Sequence, residues 1–138
     1  MELNKYIDST NLKMDAKASD IEKLCKDAIK YQFETVCVSP YYVSSVKEML
    51  KESNVGVTTV IGFPNGYSTI STKEFEAIDA VNNGADEIDM VINIQALKNK
   101  DYEYIKQEIE TVRDAIDGKV LKVIIETNLL EPIEIAKL

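Results

Sequence analysis

The sequence contains no histidine and a single arginine, Arg113. Without histidine, a Ser-His-Asp triad, a Cys-His pair and a histidine-based zinc site are excluded. The 24 acidic residues outnumber the 16 basic residues, and the formal net charge is −8. Nucleic acids and anionic membrane surfaces both bind clustered positive charge. We therefore expect neither a nucleic-acid partner nor a membrane partner.

The two cysteines, Cys25 and Cys37, are too few for a disulfide framework and are typical of reduced thiols in a cytosolic protein. No apolar run approaches the ~20 residues that a transmembrane helix needs. The segment MELNKYIDST lacks the pattern of a signal peptide. These features predict a cytoplasmic protein. The length of 138 residues, with 45% hydrophobic and 29% charged residues, predicts a single domain over residues 1–138.

Short β-branched runs alternate with longer amphipathic stretches along the chain. Five strands are predicted, namely a short one near residues 5–8, then TVCVSP (35–40), VGVTTVIGFP (55–64), EIDMVIN (87–93) and KVLKVIIET (119–127). Strands that alternate with helices favour parallel pairing and right-handed crossovers. The fold class is therefore α/β. The alternation leaves open a doubly wound sheet and a closed barrel, although no GxGxxG or GxxxxGK[ST] loop supports the former.

Four helices are predicted from apolar residues at helical spacing, and a fifth begins at Pro132. The predicted apolar faces consist of Ile21, Leu24, Cys25, Ala28 and Ile29; Val43, Val46, Met49 and Leu50; Phe75, Ile78 and Val81; and Tyr102, Ile105, Ile109, Val112 and Ile116. Ser19 and Glu22 have the spacing of a capping box at the start of the first helix. Gly84 is placed to end the third, because glycine adopts positive φ without penalty.

Two predicted strands carry charged residues where a parallel strand covered on both faces should be apolar. Side chains alternate between the faces of a strand. The helix-facing set is then Ile88, Met90, Ile92, Val123 and Ile125. Asp89 and Lys122 lie on the opposite, interior face, where neighbouring strands about 4.8 Å apart let them meet.

An interior Asp–Lys pair is costly unless the two charges are paired or used in chemistry. Desolvation lowers the pKa of a lysine, and a neutral amine can attack a carbonyl to form an imine. A nearby carboxylate raises the same pKa. The residues alone therefore leave Asp89 and Lys122 open between a nucleophile, a proton relay and a plain salt bridge.

Four further positions carry groups that can contact a ligand. Asp8, Ser9 and Thr10 can hydrogen-bond a polyhydroxyl ligand, although these residue types also favour turns and helix caps. Cys37 can face the same interior as Asp89. Without a histidine to activate it, a packing role is favoured for Cys37.

Five segments resemble deoxyribose-phosphate aldolases, in this order: IDSTNLKMDA, TVCVSPYYV, TTVIGFPNG, GADEIDMVINIQALKNKDY and GKVLKVIIETNLL. The resemblance covers essentially the whole chain. It implies a TIM (β/α)8 barrel, of which residues 1–138 form the N-terminal part, with about five parallel strands and four to five helices. It also implies a class I aldolase that needs no metal or other cofactor. Such enzymes cleave 2-deoxyribose 5-phosphate to glyceraldehyde 3-phosphate and acetaldehyde through a lysine imine, so phosphosugars and aldehydes are the substrates of the full-length family.

The resemblance also implies roles for individual residues. Asp89 matches the aspartate of the proton relay, and Lys122 matches the strand-five lysine that assists this relay. Asp8 and Thr10 match the stretch that hydrogen-bonds the sugar hydroxyls. Cys37 matches a pocket cysteine that the chemistry does not need.

The imine-forming lysine of the family lies on strand six in a KTSTG motif, which this sequence lacks. TIM barrels typically have about 250 residues and at least about 200. We therefore expect this chain alone to be inactive as an aldolase. Two alternatives stay open: a non-enzymatic half-barrel that forms a homodimer or higher oligomer through exposed strand edges, and residual imine chemistry at Lys122.

Overall fold

The computed structural model describes residues 2–138 and contains one sheet of five parallel strands. The strands are β1 (Asp8–Asn11), β2 (Thr35–Val38), β3 (Gly56–Ile61), β4 (Glu87–Val91) and β5 (Val120–Ile124). Each strand pairs with the next along the chain, in the order β1-β2-β3-β4-β5. A doubly wound sheet reverses its strand order at a switch point, whereas a (β/α)8 barrel does not. The strand order therefore agrees with part of a barrel.

Within residues 2–138, six α-helices accompany the strands, whereas four to five were predicted. They are α1 (Ala18–Tyr31), α2 (Val43–Leu50), α3 (Ile70–Asn82), α4 (Ile94–Lys98), α5 (Tyr102–Ala115) and α6 (Pro132–Ile135), with short 3-10 helices at Leu3–Tyr6, Pro40–Tyr42 and Thr127–Leu129. The unexpected helix is α4, which begins because the side chain of Asn93 accepts a hydrogen bond from the Ala96 N–H at 3.0 Å. Within residues 2–138, no helix combines the length and apolar character that crossing a membrane requires.

The core lies between the sheet and the helices, and the predicted alternation of β4 is confirmed. Ile88, Met90 and Ile92 are fully buried on the helix side. Val123 and Ile125 are half-buried against the same core. The other face of the sheet is therefore free to carry polar groups.

The start of the chain differs from the prediction. Leu3–Tyr6 forms a 3-10 helix, so that the first strand begins at Asp8 rather than near residue 5. Hydrogen bonding toward β2 begins with the Ile7 carbonyl, which accepts from the Glu34 N–H at 3.1 Å. The predicted Ser19–Glu22 capping box is also wrong, because α1 is capped earlier: the Asp20 carboxylate accepts from the Lys17 N–H at 2.9 Å.

The predicted apolar face of α3 is confirmed for Val81, which packs against the core, but is wrong for Phe75 and Ile78. Phe75 is 71% exposed and Ile78 is 42% exposed, whereas Lys73, Ala77 and Ala80 are buried. The helix therefore packs with its small residues against the core, and a buried lysine lies on the same face. The alanines permit close packing. The buried charge of the lysine requires a partner of opposite charge.

That partner is Glu108 of α5, and both side chains are fully buried. Lys73 Nζ lies 2.5 Å from Glu108 Oε1 and donates hydrogen bonds to the carbonyls of Gly66 and Val91, each at 2.7 Å. Glu108 Oε2 accepts from the Asn93 N–H at 3.0 Å. The pair therefore ties the loop after β3 to the carboxyl end of β4.

Gly84 and Gly66 are among the glycines whose backbone conformations a side chain would strain. Gly84 has a φ of +106° just after α3, as predicted for a helix end. Gly66 has a φ of +74°, and a Cβ at this position would lie 2.0 Å from the Ile92 carbonyl oxygen. Gly66 therefore lets the loop approach the end of β4 closely.

Candidate active site

An ammonium group surrounded by carboxylates lies on the interior face of the sheet. Lys122 Nζ lies 2.6 Å from Asp8 Oδ2, 2.9 Å from Glu87 Oε2 and 3.1 Å from Asp89 Oδ1. We call these four side chains the interior cluster. Asp89 and Lys122 occupy paired positions of β4 and β5, and Glu87 lies two residues before Asp89, on the same face.

The contact between Asp8 and Lys122 requires a strongly curved sheet. The two residues are 114 positions apart in the chain and lie on β1 and β5, the two outer strands. In a flat sheet, four spacings of about 4.8 Å would separate these strands by about 19 Å. One lysine and one aspartate side chain cannot bridge that distance. The sheet therefore curves around the cluster as a barrel wall does.

Two buried threonines extend the cluster to β2 and β3. The Thr35 hydroxyl donates to Asp8 Oδ1 at 2.7 Å, and the Thr58 hydroxyl donates to Thr35 Oγ1 at 2.8 Å. The Thr10 hydroxyl donates to the backbone carbonyl of Asp8 at 2.8 Å. The predicted substrate-binding residues Asp8 and Thr10 therefore lie close together, but the Thr10 hydroxyl is hydrogen-bonded to the backbone of its own strand.

The electrostatics of Lys122 argue against a nucleophilic amine. Burial alone lowers its pKa, but its hydrogen bond with Asp8 and its close contacts with Glu87 and Asp89 outweigh burial. The pKa of Lys122 is therefore well above its ordinary value. An amine of this kind stays protonated at neutral pH and has no free electron pair for attack on a carbonyl.

Asp89 has the opposite character. Burial raises the pKa of its carboxyl group, the negative charges of Asp8 and Glu87 raise it further, and Lys122 offsets these effects only in part. Its Oδ1 is buried and lies 3.1 Å from Lys122 Nζ, and no other donor within residues 2–138 reaches it. This carboxyl group is therefore suited to take up or release a proton.

Cys37 lies on the interior face of β2, paired in register with Thr10 of β1. Burial first, and then the negative charge of Asp89, raise the pKa of its thiol to about 11. The group is only 3% exposed and is a neutral thiol near pH 7. This environment agrees with a wall residue rather than a nucleophile.

The cluster is open to small molecules. The side chains of Lys122 and Asp8 keep 35% and 33% of their surface exposed. A separate apolar groove of about 650 Å³ lies beside α5 and includes none of the cluster residues. Within residues 2–138, no group of three or more histidine, cysteine, aspartate or glutamate side chains is arranged to hold a metal ion.

Three residues of this site, Glu87, Thr35 and Thr58, were not predicted from the sequence. Glu87 is two positions before Asp89, so the same alternation places it on the interior face. The two threonines are polar positions on strands that are otherwise buried, which is a weaker form of the same signal.

Comparison with known proteins gives consistent matches along the whole chain. A family model described as DeoC/LacD family aldolase matches residues 3–137. Deoxyribose-phosphate aldolase of Finegoldia magna is 59% identical over 130 residues, which are 94% of this chain and 61% of that protein. The enzyme of the same name from Metamycoplasma hominis is 54% identical over 137 residues, or 99% of this chain and 63% of that protein.

Solved structures match equally well. The crystal structure of a putative deoxyribose-phosphate aldolase from Coccidioides immitis has a TM-score of 0.95 and 44% identity, and the match covers 97% of this chain and 53% of that one. The chain therefore spans less than two thirds of the length of each of these relatives. The predicted partial barrel is confirmed by this match.

Proposed function

The chain belongs to the DeoC/LacD aldolase family, and from this premise we propose that it supplies the substrate-orienting and proton-transferring part of a deoxyribose-phosphate aldolase site. The reaction is the reversible cleavage of 2-deoxyribose 5-phosphate to glyceraldehyde 3-phosphate and acetaldehyde. The observation that carries the proposal is the contact of the Lys122 ammonium with the carboxylates of Asp8, Glu87 and Asp89.

The chemistry requires several proton transfers. An amine and the C1 aldehyde of the open-chain sugar form an imine and release water. The C3 hydroxyl then loses its proton, the C2–C3 bond breaks, and glyceraldehyde 3-phosphate leaves an enamine behind. The enamine takes a proton at C2, and water then releases acetaldehyde and the free amine. Each step needs a group that exchanges protons near neutral pH.

Asp89 suits this exchange because its pKa is raised and its buried Oδ1 contacts no donor other than the Lys122 ammonium within residues 2–138. Lys122 remains an ammonium ion that stabilises the charged form of this carboxyl group. The Asp8 carboxylate, about one third exposed, can accept a hydrogen bond from a sugar hydroxyl. Thr10 beside it can donate one after breaking its bond to the Asp8 carbonyl. Cys37 forms a neutral part of the wall.

The first experiment tests ligand contact by NMR. We expect 2-deoxyribose 5-phosphate, added to the 15N-labelled chain, to shift amide signals around Asp8, Asp89 and Lys122. Asp8→Asn should weaken the effect, whereas Asp114→Asn on the exposed surface should not. Shifts confined to other parts of the chain, or no shifts at millimolar ligand, would contradict the proposal.

The second experiment tests whether Lys122 forms the imine. We expect treatment with acetaldehyde and borohydride to label Lys122 no faster than exposed lysines, because the raised pKa of Lys122 leaves a smaller fraction of its amine unprotonated. The chain alone is accordingly expected to lack useful aldolase activity. A stoichiometric mass increase that maps to Lys122 and disappears in Lys122→Ala would overturn this expectation and establish residual imine chemistry at that residue.

A second proposal concerns self-association. β1 pairs only with β2, and β5 pairs only with β4, within the described residues. Their outward edges carry unpaired backbone groups, which favour pairing with another chain. We infer that the chain forms a dimer or higher oligomer through these edges. Light scattering that shows a folded monomer over a wide concentration range would refute this inference.

A further inference from the structure

Two buried hydroxyl groups connect Asp8 to the middle of the sheet. Thr58 is fully buried and donates to Thr35 Oγ1 at 2.8 Å, and Thr35 is 2% exposed and donates to Asp8 Oδ1 at 2.7 Å. The other oxygen of Asp8, Oδ2, lies 2.6 Å from Lys122 Nζ. The carboxylate of Asp8 therefore has one oxygen for each neighbour.

The direction of this chain of hydrogen bonds follows from the number of protons. An ionised carboxylate only accepts, and each hydroxyl has one proton to donate. Thr35 therefore donates its hydroxyl proton in the hydrogen bond to Asp8, and Thr58 donates its own in the hydrogen bond to Thr35. The second acceptor near Thr58, Glu87 Oε2, is more distant at 3.4 Å. The two threonines thus form a directed chain that ends on Asp8 Oδ1.

The choice of residue type also needs an explanation. Valine has nearly the shape of threonine and avoids the cost of burying a hydroxyl group, which is destabilising when the group lacks a partner. Thr59, next to Thr58, lies on the helix side of β3 and satisfies its hydroxyl with the Val38 carbonyl at 2.7 Å. Thr35 and Thr58 instead direct theirs toward the interior cluster.

We propose that Thr35 and Thr58 are positioning residues that fix the orientation of the Asp8 carboxylate and thereby hold the Lys122 ammonium against it. The catalytic meaning of this role rests on the proposed function. The positioning itself can be measured on the chain without turnover. Lys122 is the appropriate reporter because it contacts Asp8 directly.

The groups that face Lys122 define what the measurement reports. They are Asp8 from β1, Glu87 and Asp89 from β4, and the thiol of Cys37 from β2, which is neutral near pH 7 and whose pKa responds to the charges of the cluster. Neither threonine carries a charge, so their substitution removes no charge from the surroundings of Lys122 and acts on it through the Asp8 carboxylate, to which the hydroxyl chain leads.

The experiment compares the labelling of the Lys122 amine by an acylating reagent across a range of pH, quantified by peptide mass spectrometry. Thr35→Val removes the donor to Asp8, and we expect it to raise the labelling rate of Lys122 about threefold to tenfold at a given pH, since hydrogen bonds to charged groups are the stronger ones. Thr58→Val should give a smaller increase in the same direction. Thr35→Ser, which keeps the hydroxyl, should restore the wild-type profile.

Thr59→Val is the matched control, because Thr59 is equally buried but faces the helices. Equal labelling in Thr35→Val and Thr59→Val would overturn the proposal, as would Thr35→Ser behaving like Thr35→Val. If Thr35→Val does not fold, the labelling rates of Lys122 in Thr58→Val and Thr59→Val are compared instead, and equal rates would overturn the proposal. A failure of the proposed aldolase function gives a different result. In that case 2-deoxyribose 5-phosphate shifts no amide signals of the wild-type chain, although the labelling rates of the variants still differ as expected.

Discussion

Removing one partner of the buried pair between α3 and α5 should have a large effect on stability. Lys73→Met keeps the length and apolar stem of the side chain but removes its ammonium group. Glu108 then remains fully buried with a single hydrogen bond, from the Asn93 N–H. The carbonyls of Gly66 and Val91 also lose their donor.

Breaking a buried ion pair by removal of one partner costs about 3–5 kcal/mol. That loss is a large part of the roughly 5–15 kcal/mol by which a domain is stable. Glu108→Gln in the Lys73→Met background removes the uncompensated charge, while its side-chain oxygen can still accept from the Asn93 N–H. We therefore expect the double variant to be more stable than Lys73→Met by about 1–3 kcal/mol.

The free energy of unfolding is measured by urea titration with circular dichroism, at constant m-value. Lys98→Met is the matched control, since Lys98 pairs with Glu134 at 2.6 Å with 42% of its side chain exposed. Its expected change is within about 1 kcal/mol. A loss below about 1 kcal/mol for Lys73→Met, or a double variant less stable than the single one, would refute the reasoning.

Three more predictions test other parts of the molecule. Cys37 should react with iodoacetamide at neutral pH much more slowly than in urea-unfolded chain, because burial raises the pKa of its thiol to about 11; equal rates would contradict this. Gly66→Ala should lower the urea midpoint more than Gly118→Ala. Both glycines have positive φ, but a Cβ at Gly118 meets nothing within 4 Å, so equal midpoints would mean that the loop yields without cost. Burial raises the pKa of Asp86, but hydrogen bonds from Lys47 and a backbone N–H outweigh it, so the folded pKa is lowered. Its contribution, about 1 kcal/mol, is therefore present above the ordinary pKa of 3.8 and is lost as pH falls through the folded value. A stability–pH curve unchanged by Asp86→Asn would contradict this.

Predictions from the sequence succeeded where alternation along a strand decides the outcome. The side chains of β4 alternate between the two faces without interruption, so Ile88 and Met90 were correctly assigned to the core and Asp89 to the interior face. The prediction for α3 was partly wrong because helical periodicity contains no information about a partner on another helix. Lys73 is buried only because Glu108, 35 residues later, neutralises it, and Phe75 is left exposed as a consequence.

The contacts of the interior cluster also depend on more than the local sequence pattern. Alternation assigns a residue to a face, and register assigns it a partner on the adjacent strand, as for Asp89 and Lys122. Asp8 and Lys122 are on strands that are not adjacent, and only the curvature of the whole sheet brings them within 2.6 Å. Curvature depends on twist and packing summed over all five strands, so it is not a property of any local segment. Alternation can therefore assign residues to the interior face of a barrel wall, as it did for Asp89 and Lys122, while the contacts between residues of distant strands follow only from the curvature of the sheet.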